Sequence, residues 1–60
     1  MKAIIKILLE VEATDDPAAR QKFQKIALAL EPLIPEEVHV RSFKLVEEGS
    51  GRQLDDRLKS

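Results

Sequence analysis

Four acidic doublets are the features of this chain most suited to chemistry: Asp15-Asp16, Glu36-Glu37, Glu47-Glu48 and Asp55-Asp56. Two carboxylates held close together can share a proton or hold a divalent cation. Adjacent residues on an extended chain point to opposite faces, so a doublet there is not a compact dyad. Each doublet falls at an expected element end or in the tail, where capping and solvated strand ends account for it, and no EF-hand spacing is present. His39 is the single histidine and lies beside Glu37 and Arg41, but no Ser, Thr or Cys is spaced to complete a nucleophilic triad. Gly49-Ser50-Gly51-Arg52 has the makings of an anion-binding nest with Arg52 as its clamp. It lacks the Gly-Lys-Ser/Thr ending of a phosphate loop and opens no long helix after a strand, so a flexible hinge before the tail is the favoured reading. No catalytic residue, metal ligand or cofactor site is therefore expected.

Nucleic-acid binding is disfavoured on the same inventory. Arg20, Lys22 and Lys25 make a modest basic helix face, but 10 basic against 11 acidic residues give a net charge of −1 and a pI near 5.7. Broad electrostatic capture of polyanions needs the opposite balance. Tyr and Trp are absent, and the two phenylalanines, Phe23 and Phe43, read as core rather than stacking platforms. A small nucleic-acid-binding regulator stays as an alternative resting on that helix face.

The elements that would position these residues follow from hydrophobic period. Lys2 to Ala13 reads as a strand: Ala3, Ile5, Ile7, Leu9 and Val11 share one parity, and the other mixes Ile4 and Leu8 with Lys2, Lys6, Glu10 and Glu12. Asp16 suits an N-cap and Pro17 a first helical position. Ala19, Phe23, Ile26, Ala27 and Leu30 then form one stripe at period 3.6. Pro32 disfavours helical geometry at Glu31, closing the helix there. Leu33 and Ile34, between two prolines, are expected to fold back as an apolar plug. A second strand is expected from Val38 to Val46, where a bulge near Arg41-Ser42 would bring Val38, Val40, Phe43 and Leu45 to one face. Leu54 and Leu58, four apart, suggest a short amphipathic tail after the Gly-Ser-Gly hinge. Gly-Ser-Gly also has the look of an engineered linker.

Sixty residues make one small domain, divided here into a strand–helix–strand body at 1–48 and a hinge and tail at 49–60. The expected class is α/β (α+β), with a right-handed crossover joining parallel strands. Two strands and one helix cannot cover the apolar inventory, which is 43% of the residues. No disulfide compensates, because the chain has no Cys. The expectation is completion of the sheet in a homodimer or higher oligomer. Leu28, opposite the helix stripe, joins Leu54, Leu58 and Arg41 as candidate partner-binding residues. The N-terminal apolar run is interrupted by Lys6 and Glu10, so neither a signal peptide nor a membrane span is expected, and a cytoplasmic setting is.

Length and element order resemble the small subunits of the 4-oxalocrotonate tautomerase family, through Leu30-Glu31-Pro32-Leu33, Val38-His39-Val40-Arg41, Gly49 and Gly51. The resemblance implies a strand–helix–strand subunit in dimers or hexamers, with Arg41 as the matching candidate for substrate binding. That family works through an N-terminal proline, whereas this chain begins Met1-Lys2. The alternative it implies is a tautomerase-like subunit without catalysis; the favoured reading is a non-enzymatic adaptor or inhibitor that self-associates and binds a protein partner.

Overall fold

The period-3.6 stripe becomes the organising element. In the computed structural model, which describes residues 1–57, helix α1 runs over Asp16–Leu30 and buries Ala19, Phe23 and Ala27, with Ile26 and Leu30 half-buried beside them. The cap lies one residue earlier than expected. Asp15, in extended geometry, accepts a hydrogen bond from the Ala18 N–H at 2.9 Å, and Asp16 opens the helix itself. Both carboxylates still lie at the positive end of the helix dipole. Helix α1 ends at Leu30, but Glu31 keeps right-handed helical geometry despite the following proline and donates its N–H to the Ala27 carbonyl. The chain tightens there into a 3₁₀ turn over Glu31–Leu33, a common way of satisfying the last carbonyls of a helix. Leu33 and Ile34 are both exposed, so the expected apolar plug does not form, although Ile34 lines a groove beside the helix end.

The sheet differs from expectation in three respects. It consists of β1 (Lys44–Val46) and β2 (Gln53–Asp56), and they pair antiparallel. First, the segment expected as a short amphipathic tail or helix supplies a strand, β2. Leu54 lies in this strand, and Leu58, its expected partner at helical spacing, lies outside the described residues. Second, the expected second strand shrinks from Val38–Val46 to its last three residues. Pro35 starts a turn closed by the Val38 N–H on the Pro35 carbonyl at 3.0 Å, and residues 38–43 have no strand assignment. The bulge lies between Leu45 and Val46: Leu45 faces Asp55 and Val46 faces Gln53, which makes Leu54 the extra residue. Third, residues 2–13 form no strand. Alternation specifies a pleated face, but a strand also needs a neighbouring backbone, and no other described segment pairs with this one. The order is thus helix, 3₁₀ turn and hairpin, a small α+β unit in place of a parallel strand–helix–strand crossover.

The hairpin turn is set by Glu47–Arg52. The Glu47 N–H donates to the Arg52 carbonyl at 2.9 Å, and the Gly51 N–H donates to the Glu47 carbonyl at 3.0 Å. Gly49 and Gly51 have φ of +94° and +75°, the left-handed region where a side chain is strained. A Cβ at Gly51 would meet nothing within 4 Å, so the cost of Gly51→Ala is conformational, about 1–2 kcal/mol. Urea titration should show that loss as a lower midpoint with an unchanged slope.

The hairpin packs on α1 through an aromatic pair. The rings of Phe23 and Phe43 stack with centroids 5.1 Å apart and planes 26° from parallel. Arg20 Nε donates to the Leu54 carbonyl at 3.0 Å. This body is small, and the chain around it is extended: the Cα radius of gyration is 12.6 Å, against about 10 Å for a compact chain of sixty residues.

Candidate functional site

The residues that looked most like an anion clamp are engaged within the chain. Arg52 forks onto Asp16, with its two terminal nitrogens 3.0 and 3.1 Å from the carboxylate oxygens, and lies 3.4 Å from Glu47 Oε2. Ser50 donates its hydroxyl to Glu47 Oε1. The anion held beside this turn is thus the protein's own Asp16, thirty-six residues earlier in the chain. The Arg52 fork holds the Asp16 carboxyl below its ordinary range; the Ser50 hydroxyl, then Arg52, does the same for Glu47; and Asp16, then Glu47, raises Arg52.

A pH dependence follows. Native values of Asp16 and Glu47 lie below their unfolded ones, so the stabilisation is complete above the unfolded carboxylate range and is lost as pH falls through the lowered native values. The wild-type melting midpoint should exceed that of Arg52→Gln at neutral pH. The gap should close in strong acid, and shrink at high salt because the cluster is solvent-exposed.

The other chemistry-prone residues remain apart. His39 and Arg41 are exposed beyond the Pro35 turn, and Glu36 and Glu37 occupy that turn. Asp55 Oδ1 accepts from the Asp56 N–H at 2.8 Å. No cluster of three or more metal-binding side chains occurs among the described residues. On the helix face singled out for its charge, Lys22 donates to the Glu12 carbonyl and Arg20 is used by Leu54.

Two apolar surfaces stand out. One is an open groove of about 320 Å³ between the end of α1 and the hairpin, floored by Leu30, Ile34, Val40 and Phe43. Arg57 and Glu31 lie on its border with nitrogen and oxygen 3.8 Å apart. The larger surface is the N-terminal segment. Ile4, Ile5, Ile7, Leu8 and Leu9 are exposed, Leu8 almost completely at 98%, and only Val11 of the segment is half-buried. Residues 1–11 make no hydrogen bond to another described residue.

The candidate partner-binding residues are scattered. Leu28 is 60% exposed on the outer face of α1, and Arg41 is exposed in the connection before β1. Leu54 is half-buried at the β2 bulge, and its backbone carbonyl accepts from Arg20 of α1. Leu58 lies outside the described residues. From the sequence, Ile4 and Leu8 belong to the apolar surplus and Ile5, Ile7 and Leu9 to the apolar face of the expected strand; their common exposure becomes visible only when the strand is found without a neighbour. No protein-family model, curated protein or solved structure matches this chain. No helix among the described residues is long and apolar enough to cross a membrane.

Proposed function

We propose that this protein is a small non-enzymatic interaction module of the cytoplasm, which self-associates and binds a protein partner through its apolar surfaces. The observation that carries the reading is the run of exposed aliphatic residues from Ile4 to Leu9 on a segment whose backbone groups lack protein partners. Contiguous exposed apolar surface marks interaction sites, and an extended segment with open N–H and C=O groups is a template for strand addition. The energy scale is adequate. Fully burying an Ile or Leu contributes roughly 1.5–3 kcal/mol, so covering three or four of them rivals the whole stability of a domain this size, roughly 3–9 kcal/mol.

Light scattering behind a sizing column tests self-association. The expected result is a mass that rises with loading concentration to a multiple of the 6.8 kDa chain. A compact 6.8 kDa species at every micromolar concentration would reject it. Leu28→Ser serves as a control for the helix face: an exposed side chain removed there should leave folding intact, and any change it makes in assembly assigns that face a role.

A further inference from the structure

We infer that residues 2–13 pair with the same segment of a second copy as antiparallel strands related by a two-fold axis through Leu8; this rests on the self-association proposed above. The argument is the order of charge along one face. Among even-numbered residues the sequence runs Lys2, Ile4, Lys6, Leu8, Glu10, Glu12, basic in its first half and acidic in its second. Antiparallel pairing about Leu8 sets Lys6 opposite Glu10 on both sides of the axis, Leu8 opposite Leu8, Lys2 diagonal to Glu12, and leaves Ile4 opposite Glu12 as its one mismatched pair. The odd face then matches Ile5 with Val11, Ile7 with Leu9 and Ala3 with Ala13, an apolar row throughout. Directly opposed opposite charges and aliphatic pairs are the contacts that stabilise a sheet, while like charges opposed destabilise it.

Other arrangements do worse. Parallel in-register pairing stacks Lys2, Lys6, Glu10 and Glu12 each on its own copy. An axis through Lys6 opposes Lys6 to itself, and an axis through Ile7 sets Lys6 against Leu8 and Ile4 against Glu10. An axis falling between residues brings odd positions opposite even ones and destroys the apolar row. The occupant is therefore a second copy of this chain, because the segment complements its own reverse. An isologous contact of this kind closes at two subunits.

Charge reversal in the full chain, followed by dimer dissociation constants at low salt, tests orientation. Lys6→Glu replaces two attractive contacts by two repulsive ones and should weaken the dimer about fivefold to tenfold. Glu10→Lys should do the same, and the swapped double variant Lys6→Glu/Glu10→Lys should recover wild-type affinity. In parallel pairing each single reversal merely exchanges one like-charge contact for another and changes nothing. Cysteine variants test register, which is clean because the chain contains no Cys. Leu8→Cys should oxidise to a linked dimer, whereas Ile4→Cys and Glu12→Cys should link to each other and neither to itself. A wild-type dimer indifferent to the reversals overturns the strand pair and leaves self-association standing. A dimer that responds to charge but links through other positions overturns the Leu8 axis. A wild-type monomer overturns both proposals and leaves the segment to a strand of some other protein.

Discussion

Phe23→Ala is expected to unfold the chain. Phe23 is one of three buried residues among the described ones, 6% exposed, and it joins helix to hairpin through its stack on Phe43. Truncating a core Phe costs roughly 3–5 kcal/mol, against a total of roughly 3–9 kcal/mol for sixty residues. The other two buried side chains are alanines, too small to close over the space left behind. Far-UV circular dichroism should show the helical signal of Asp16–Leu30 lost at room temperature, while Leu28→Ala, on the exposed side of the same helix, retains it. Retention of that signal with a cooperative melt in Phe23→Ala would show that something other than the aromatic pair holds the body together.

The second large effect belongs to the N-terminal segment and has the opposite signature. Ile7→Asp should leave the monomer's fold unchanged, because Ile7 is 71% exposed on a stretch, residues 1–11, that makes no hydrogen bond to the helix or hairpin. In the assembled state the same position faces Leu9 of the other copy, twice per dimer. Removing two buried aliphatic side chains, each worth roughly 1.5–3 kcal/mol, amounts to a loss of association of at least about a hundredfold, before the cost of placing carboxylates there. Sedimentation velocity should find a folded species that no longer associates. An unchanged association constant would move the contact surface away from the segment, with the groove beside Leu30 and Phe43 the next place to look.

These two variants separate what was legible in the sequence from what was not. The helix was legible because Ala19, Phe23, Ile26, Ala27 and Leu30 repeat at the helical period, and that signal needs no long-range partner. Its start was misplaced by one residue because Asp15 and Asp16 are chemically equivalent caps, and only the backbone geometry chooses between them. The hairpin was hidden for a different reason. Leu54 and Leu58 support a helical period over too few residues to exclude a strand, and β1 and β2 are only three and four residues long. What fixes them is the turn with two left-handed glycines and the reach of Arg52 back to Asp16, a contact between residues thirty-six apart that no local pattern announces.

The N-terminal strand shows the converse. Its alternation from Ala3 to Val11 is the strongest strand signal in the chain, yet the single chain leaves it without regular structure. The pattern records which side chains should share a face; whether a ladder forms depends on a backbone that the single chain does not supply. Apolar surplus was legible as a quantity, and the structure places its longest run in Ile4–Leu9. The candidate residues Leu28 and Arg41 were singled out individually, and nothing in the fold gathers them into one surface.

Amide hydrogen exchange of the intact chain, followed residue by residue across a concentration series, is the most direct test of the central claim. If the segment is a strand completed by another copy, the amides between Ile4 and Val11 that enter the ladder gain protection as concentration rises, while those of α1 are protected throughout. Exchange at unstructured rates over Ile4–Val11 at every concentration, with α1 still protected, would contradict it.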